Sequence, residues 1–116
     1  MHTPFKNDPF SLIWQAFKNL YPDKDCVCFW ETQIREDDDG RVPCGLTDFG
    51  EDGSVVVFVN AELTITDATE ILAHELAHVA VGVSHDHDEE WQKAFDNIFV
   101  EYNRIGDAMV CESEED

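Results

Sequence analysis

His74-Glu75-Leu76-Ala77-His78 reads H-E-x-x-H within a run of helix-forming residues, and it decides how the rest of the chain is read. Residues i and i+4 of a helix share one face, so these two imidazoles can grip one metal ion. The glutamate between them is placed to activate water at that ion. Around the motif Ile71, Leu72, Ala73, Leu76, Ala77, Val79 and Ala80 are apolar. Three ionisable groups on such a helix need compensation, because burying them unpaired is costly. A metal ion supplies it; satisfied core histidines are the bland alternative. The expected ion is Zn2+, with His74 and His78 as ligands and Glu75 as the catalytic base.

Catalytic zinc usually takes three protein ligands and keeps one position open. Two histidines follow the motif closely. His85 lies seven residues beyond His78 with Gly82 between them, which approximates H-E-x-x-H-x-x-G-x-x-H but is displaced by one residue at both the glycine and the histidine. His87 lies at the start of the next helical stretch, four residues before Trp91, with Asp86 available as a cap. Packing Trp91 into the core would aim His87 towards the motif helix. His87 is therefore the favoured third ligand and His85 the alternative, since a helix holds a ligand more rigidly than a loop does.

Periodicity places the remaining elements. Phe10, Ile13, Trp14, Phe17 and Leu20 form a helical stripe over 9–21, which Pro22 ends. Residues 26–34 read as a strand with Cys26, Cys28 and Trp30 on one face and Val27, Phe29 and Glu31 on the other. Residues 45–49 and 54–60 read as two strands joined by an Asp52-Gly53 hairpin turn. The second of these is expected to present an edge that could hold an extended peptide. The motif helix is expected over 67–81, with Asp67 and Glu70 as a capping box and Gly82 as its stop. A last helix is expected over 87–105, ended by Gly106 and carrying Trp91, Phe95, Ile98, Phe99 and Tyr102 at helical spacing. The expected class is α+β: an N-terminal helix, a small three-stranded and mainly antiparallel sheet, the motif helix and a C-terminal helix. Residues 1–110 form one domain, and 111–116 read as a disordered acidic tail.

Composition narrows the function. The chain has 116 residues, 43% of them hydrophobic, including eight Phe and three Trp, which is enough for one cored domain. Seven basic against 26 acidic residues give a net charge of −19. Such a chain should be repelled by nucleic acid and by anionic membranes. No apolar run approaches a membrane span, and residues 1–6 lack the apolar stretch of a signal peptide. A cytoplasmic location is expected, or host cytoplasm or virion for a virus-encoded protein. Cys26, Cys28, Cys44 and Cys111 contain no C-x-x-C pair, so they read as buried free thiols rather than a zinc ribbon. The acidic turn 36–40 fails as a calcium loop: with Gly40 sixth, the twelfth position is Leu46 and not glutamate.

The motif, followed by His87-Asp88-Glu89-Glu90-Trp91, resembles the SprT-like and related minimal gluzincin-type metallopeptidases. These show H-E-x-x-H, a short variable loop, then a histidine with an aromatic residue four positions on. Asn60-Ala61-Glu62-Leu63 is similar to their strand-to-helix segment, often Asn-Pro-x-Leu. The resemblance implies a zincin-like fold, zinc on His74, His78 and His87, Glu75 as catalytic residue, and peptide-bond hydrolysis. Asp88 stands where the family usually has glycine, and the zinc ribbon found at the C-terminus of many SprT-like proteins is not expected here, since the cysteines form no C-x-x-C pair. The family's action on DNA-bound substrates relies on basic surface, which this chain lacks. A peptide or protein substrate of basic character is expected instead, with Asp86, Asp88, Glu89 and Glu90 around the site mouth. Tyr102 and Arg104 are candidates for a second oxyanion donor. Two other readings remain: a non-catalytic zincin-fold module, for instance virion-associated, that binds a basic protein, and an acidic DNA mimic.

Overall fold

A computed structural model describes residues 8–32, 44–82 and 87–114, with side chains to residue 109. The first helix, α1, spans Pro9–Leu20. Asp8 caps it by accepting from the Phe10 N–H at 3.0 Å, and Pro9 occupies the first turn, where no N–H is needed. Ile13, Ala16 and Phe17 are fully buried, while Phe10 and Trp14 pack at the margin of the core. Leu20, at the end of the stripe, remains 39% exposed. Lys18 Nζ donates to the carbonyls of Pro22 and Lys24 and closes the turn that follows.

The sheet contains β1 (Val27–Glu31), β2 (Gly45–Phe49) and β3 (Val55–Asn60) in the order β1-β3-β2. β2 and β3 form the expected antiparallel hairpin, with Gly53 in a positive-φ conformation that favours glycine. Asp52 braces the turn by accepting from the Ser54 N–H and hydroxyl at 3.0 and 2.7 Å. β1 pairs with β3 in parallel, Cys28 opposite Val57 and Trp30 opposite Val59. The sheet is therefore mixed rather than mainly antiparallel. β3 is also the central strand, not an edge, which agrees with its nearly continuous apolar sequence. Val57 and Val59 face the helices and are buried; on the opposite face Phe29 stacks on Phe58. The thiols depart from expectation as well. Cys26 is half-buried, and Cys28 and Cys44 are exposed, although the Sγ atoms of Cys26 and Cys28 share a face 3.9 Å apart. The acidic turn 36–40 lies outside the described residues.

The motif helix, α2, spans Ile65–Val81 and begins two residues before the expected Asp67. Its cap is Thr64, whose hydroxyl accepts from the Asp67 N–H at 3.1 Å, so Asp67 sits inside the first turn. Gly82 ends it at φ 89°, as expected. Ala68, Leu72, Ala73, Leu76, Ala77, Val79 and Ala80 are buried, because α2 is covered by the sheet, α1 and the last helix. That helix, α3, spans Glu89–Glu114 and passes through Gly106 and into the expected tail. Glycine inside a helix costs about 1 kcal/mol. Ile105 packs against the core immediately before it, and the helix continues regardless. No helix among the described residues is long and apolar enough to cross a membrane.

Candidate metal centre

His74 and His78 project from one face of α2, as their spacing requires. His87 reaches the same point from the segment before α3. Its Nε2 lies 2.9 Å from His74 Nε2 and 3.1 Å from His78 Nε2. These three are the group of possible metal ligands among the described residues. His87 is not mounted on α3, as the sequence reading had it, but stands before the cap. Asp88 takes the capping role by accepting from the Trp91 N–H at 3.0 Å. Asp86 and His85 lie outside the described residues.

His87 sits at φ 53°, the only positive φ among the described non-glycine residues. Left-handed backbone costs an L-residue roughly 1–2 kcal/mol, although histidine tolerates it better than most. The turn directs its imidazole back onto α2. Trp91 secures the arrangement: its indole N–H donates to the His74 carbonyl at 3.2 Å. Its ring centroid lies 4.7 Å from those of His74 and His87 and 5.5 Å from that of His78. Trp91 is 7% exposed, so it forms a dry wall behind all three histidines.

The donor set suits a metal ion. Zinc–nitrogen bonds of about 2.0–2.1 Å at tetrahedral angles place ligand nitrogens about 3.3 Å apart. The two spacings from His87 Nε2 fall just inside that figure, and all three ligand atoms lie within 4.8 Å of one another. A neutral imidazole Nε2 carries at most one proton, so His87 Nε2 cannot donate to both neighbours at once. A cation between the rings would meet all three lone pairs. Burial, and then the neighbouring His78 and His87, lower the His74 pKa to about 4, which leaves the ring neutral near pH 7. A neutral ring is the form that binds metal.

Glu75 lies between α2 and β2 and is 6% exposed. The Thr47 hydroxyl donates to its Oε1 at 2.7 Å, while its Oε2 lies 3.8 Å from His74 Nε2. Burial raises the Glu75 pKa, and the Thr47 hydrogen bond opposes that rise. The close approach depends on Gly45, which shares the helix-facing side of β2 with Thr47. A Cβ at Gly45 would lie 2.6 Å from Ile71 Cγ2 and 3.1 Å from Glu75 Cγ. Neither Thr47 nor Gly45 was found by reading the sequence. An isolated glycine in a strand hints at close backbone approach, but it does not say to what.

The other candidates have local roles. Arg104 forks onto Glu101 at 2.6 and 2.8 Å, and Tyr102 packs edge-on against Phe99. Glu89 and Glu90 flank Lys93 at 3.7 and 3.9 Å in the first turns of α3, where the helix dipole favours acidic groups. Compared with known proteins, the chain matches no family model, no curated protein and no solved structure.

Proposed function

We propose that the chain is a zinc-dependent peptidase in which His74, His78 and His87 hold the metal and Glu75 is the general base. One observation carries this reading more than any other. A buried carboxylate has one oxygen bonded by Thr47 and the other 3.8 Å from His74 Nε2, one of three converging histidine nitrogens. A metal that only braced α2 against α3 would need no such carboxylate, and burying one is costly.

When bound, zinc supplies Lewis acidity, which makes water ionisable near neutral pH and draws charge from a peptide carbonyl. The protein does the rest. Glu75 Oε2 takes the proton from the attacking water and later delivers it to the leaving amine nitrogen. Trp91 excludes solvent from the back of the histidines, which strengthens electrostatic interactions there. β2 is an edge strand of the described sheet and runs beside Glu75. Its outer side can align an extended peptide by backbone pairing, the role that the sequence reading gave to β3. The net charge of −19 favours basic substrates over acidic ones.

Cleavage of unfolded basic peptides by zinc-loaded wild type and Glu75→Gln tests the assignment. The substitution is expected to keep zinc and to reduce kcat by about 10²–10⁴-fold, the usual contribution of a positioned base. Equal cleavage by both proteins would remove Glu75 from the mechanism. No cleavage by a zinc-loaded wild type would instead favour a non-catalytic zinc module that binds a basic partner.

A further inference from the structure

We propose that Thr47 is a positioning residue for Glu75, holding one carboxylate oxygen so that the other faces the histidine nitrogens. The proposal rests on the peptidase reading and assigns a role to a residue outside the motif. Glutamate has three rotatable side-chain bonds, and H-E-x-x-H fixes only where its backbone sits. Something else must choose the rotamer. The Thr47 hydroxyl does so with a 2.7 Å hydrogen bond to Oε1, much shorter than its 3.4 Å approach to the Glu75 main-chain carbonyl.

Thr47 is well suited to the task. Its β-branched side chain is stiff at χ1, so the donor is held before the carboxylate arrives. It lies opposite Val57, a fully buried residue of the central strand, and so has a rigid base. Gly45, two residues away on the same face, lets β2 approach α2 without a clash against Ile71. The buried oxygen also needs this partner, since an unsatisfied buried acceptor is destabilising. The bond therefore serves position and stability together, and the two can be separated experimentally.

Three variants make the test: Thr47→Val, which keeps the shape and removes the donor, Thr47→Ser, which keeps the donor, and Thr47→Val combined with Glu75→Ala. Zinc affinity, from competition with a chelator, should stay close to that of wild type in Thr47→Val. The Thr47 hydroxyl bonds Glu75 and none of the histidines, and so escapes the roughly 10–100-fold loss expected when a ligand's own partner is removed. In zinc-loaded protein, Thr47→Val should lower kcat by roughly tenfold at unchanged KM, and Thr47→Ser should restore most of it. Melting of metal-free protein gives a readout independent of activity. Thr47→Val should lower Tm by about 5 °C when Glu75 is present and by much less in the Glu75→Ala background. Equal Tm losses in both backgrounds, or an unchanged kcat in Thr47→Val, would overturn the proposal. A wild type that binds zinc and cleaves nothing overturns the peptidase reading, and the melting comparison then decides the Thr47–Glu75 contact alone.

Discussion

At the scale of single residues, the site depends on a few side chains held in unusual states. His87 occupies left-handed backbone, Glu75 is a buried carboxylate, and His74 is a ring whose protonation is suppressed. The His87 backbone gives a direct test. Alanine and glycine at this position both remove the imidazole, but only glycine relieves the positive φ. Both variants should lose metal, and metal-free His87→Gly should be more stable than His87→Ala by about 1 kcal/mol in urea unfolding. Equal stabilities would mean that the left-handed turn is not imposed on the folded protein. The motif histidines were legible because i and i+4 always share a helix face. The His87 turn was not, because nothing in His87-Asp88 demands a positive φ. Thr47 lies 28 residues from Glu75, and that contact depends on how β2 lies over α2.

At the scale of elements, α3 is tied to α2 at its first turn and to α1 midway along its length. Its first turn carries Trp91 against α2, and farther along Glu101 ties it to α1. Asn19 Nδ2 donates to Glu101 at 2.8 Å, and Arg104 donates to the same carboxylate. These hydrogen bonds, Arg104 first, lower the Glu101 pKa from 4.5 to about 2. A carboxylate whose pKa is depressed by folding stabilises the folded state above its unfolded pKa. That contribution disappears as pH falls through the folded value. Wild type should therefore melt above Glu101→Gln at pH 6, and the gap should narrow as the pH falls from about 4.5 to about 2. A gap independent of pH would show that the Glu101 charge, held mainly by Arg104 of the same helix and then by Asn19 of α1, adds nothing to stability. The hairpin of β2 and β3 was legible because Asp52-Gly53 marks its turn. The pairing of β1 was not, since a parallel neighbour arrives by a crossover and has no local turn signal. Gly106 misled because a glycine stop is only a local preference of about 1 kcal/mol, and α3 continues through it to Glu114.

At the scale of the whole molecule, three helices and a mixed sheet bring a motif from one helix, a third histidine from the next segment and a hydroxyl from an edge strand to one place. The α+β class and the helical core were legible because apolar spacing fixes which faces are buried. The mixed topology and the donor behind Glu75 were not, because both are set by contacts between distant segments. The metal centre is the claim on which the rest depends, and zinc stoichiometry tests it most directly. Purified wild type should hold one zinc per chain. His74→Ala, His78→Ala and His87→Ala should each weaken binding by at least about 100-fold, and His85→Ala should bind as wild type does. Full zinc retention by His87→Ala, or its loss from His85→Ala, would contradict this account.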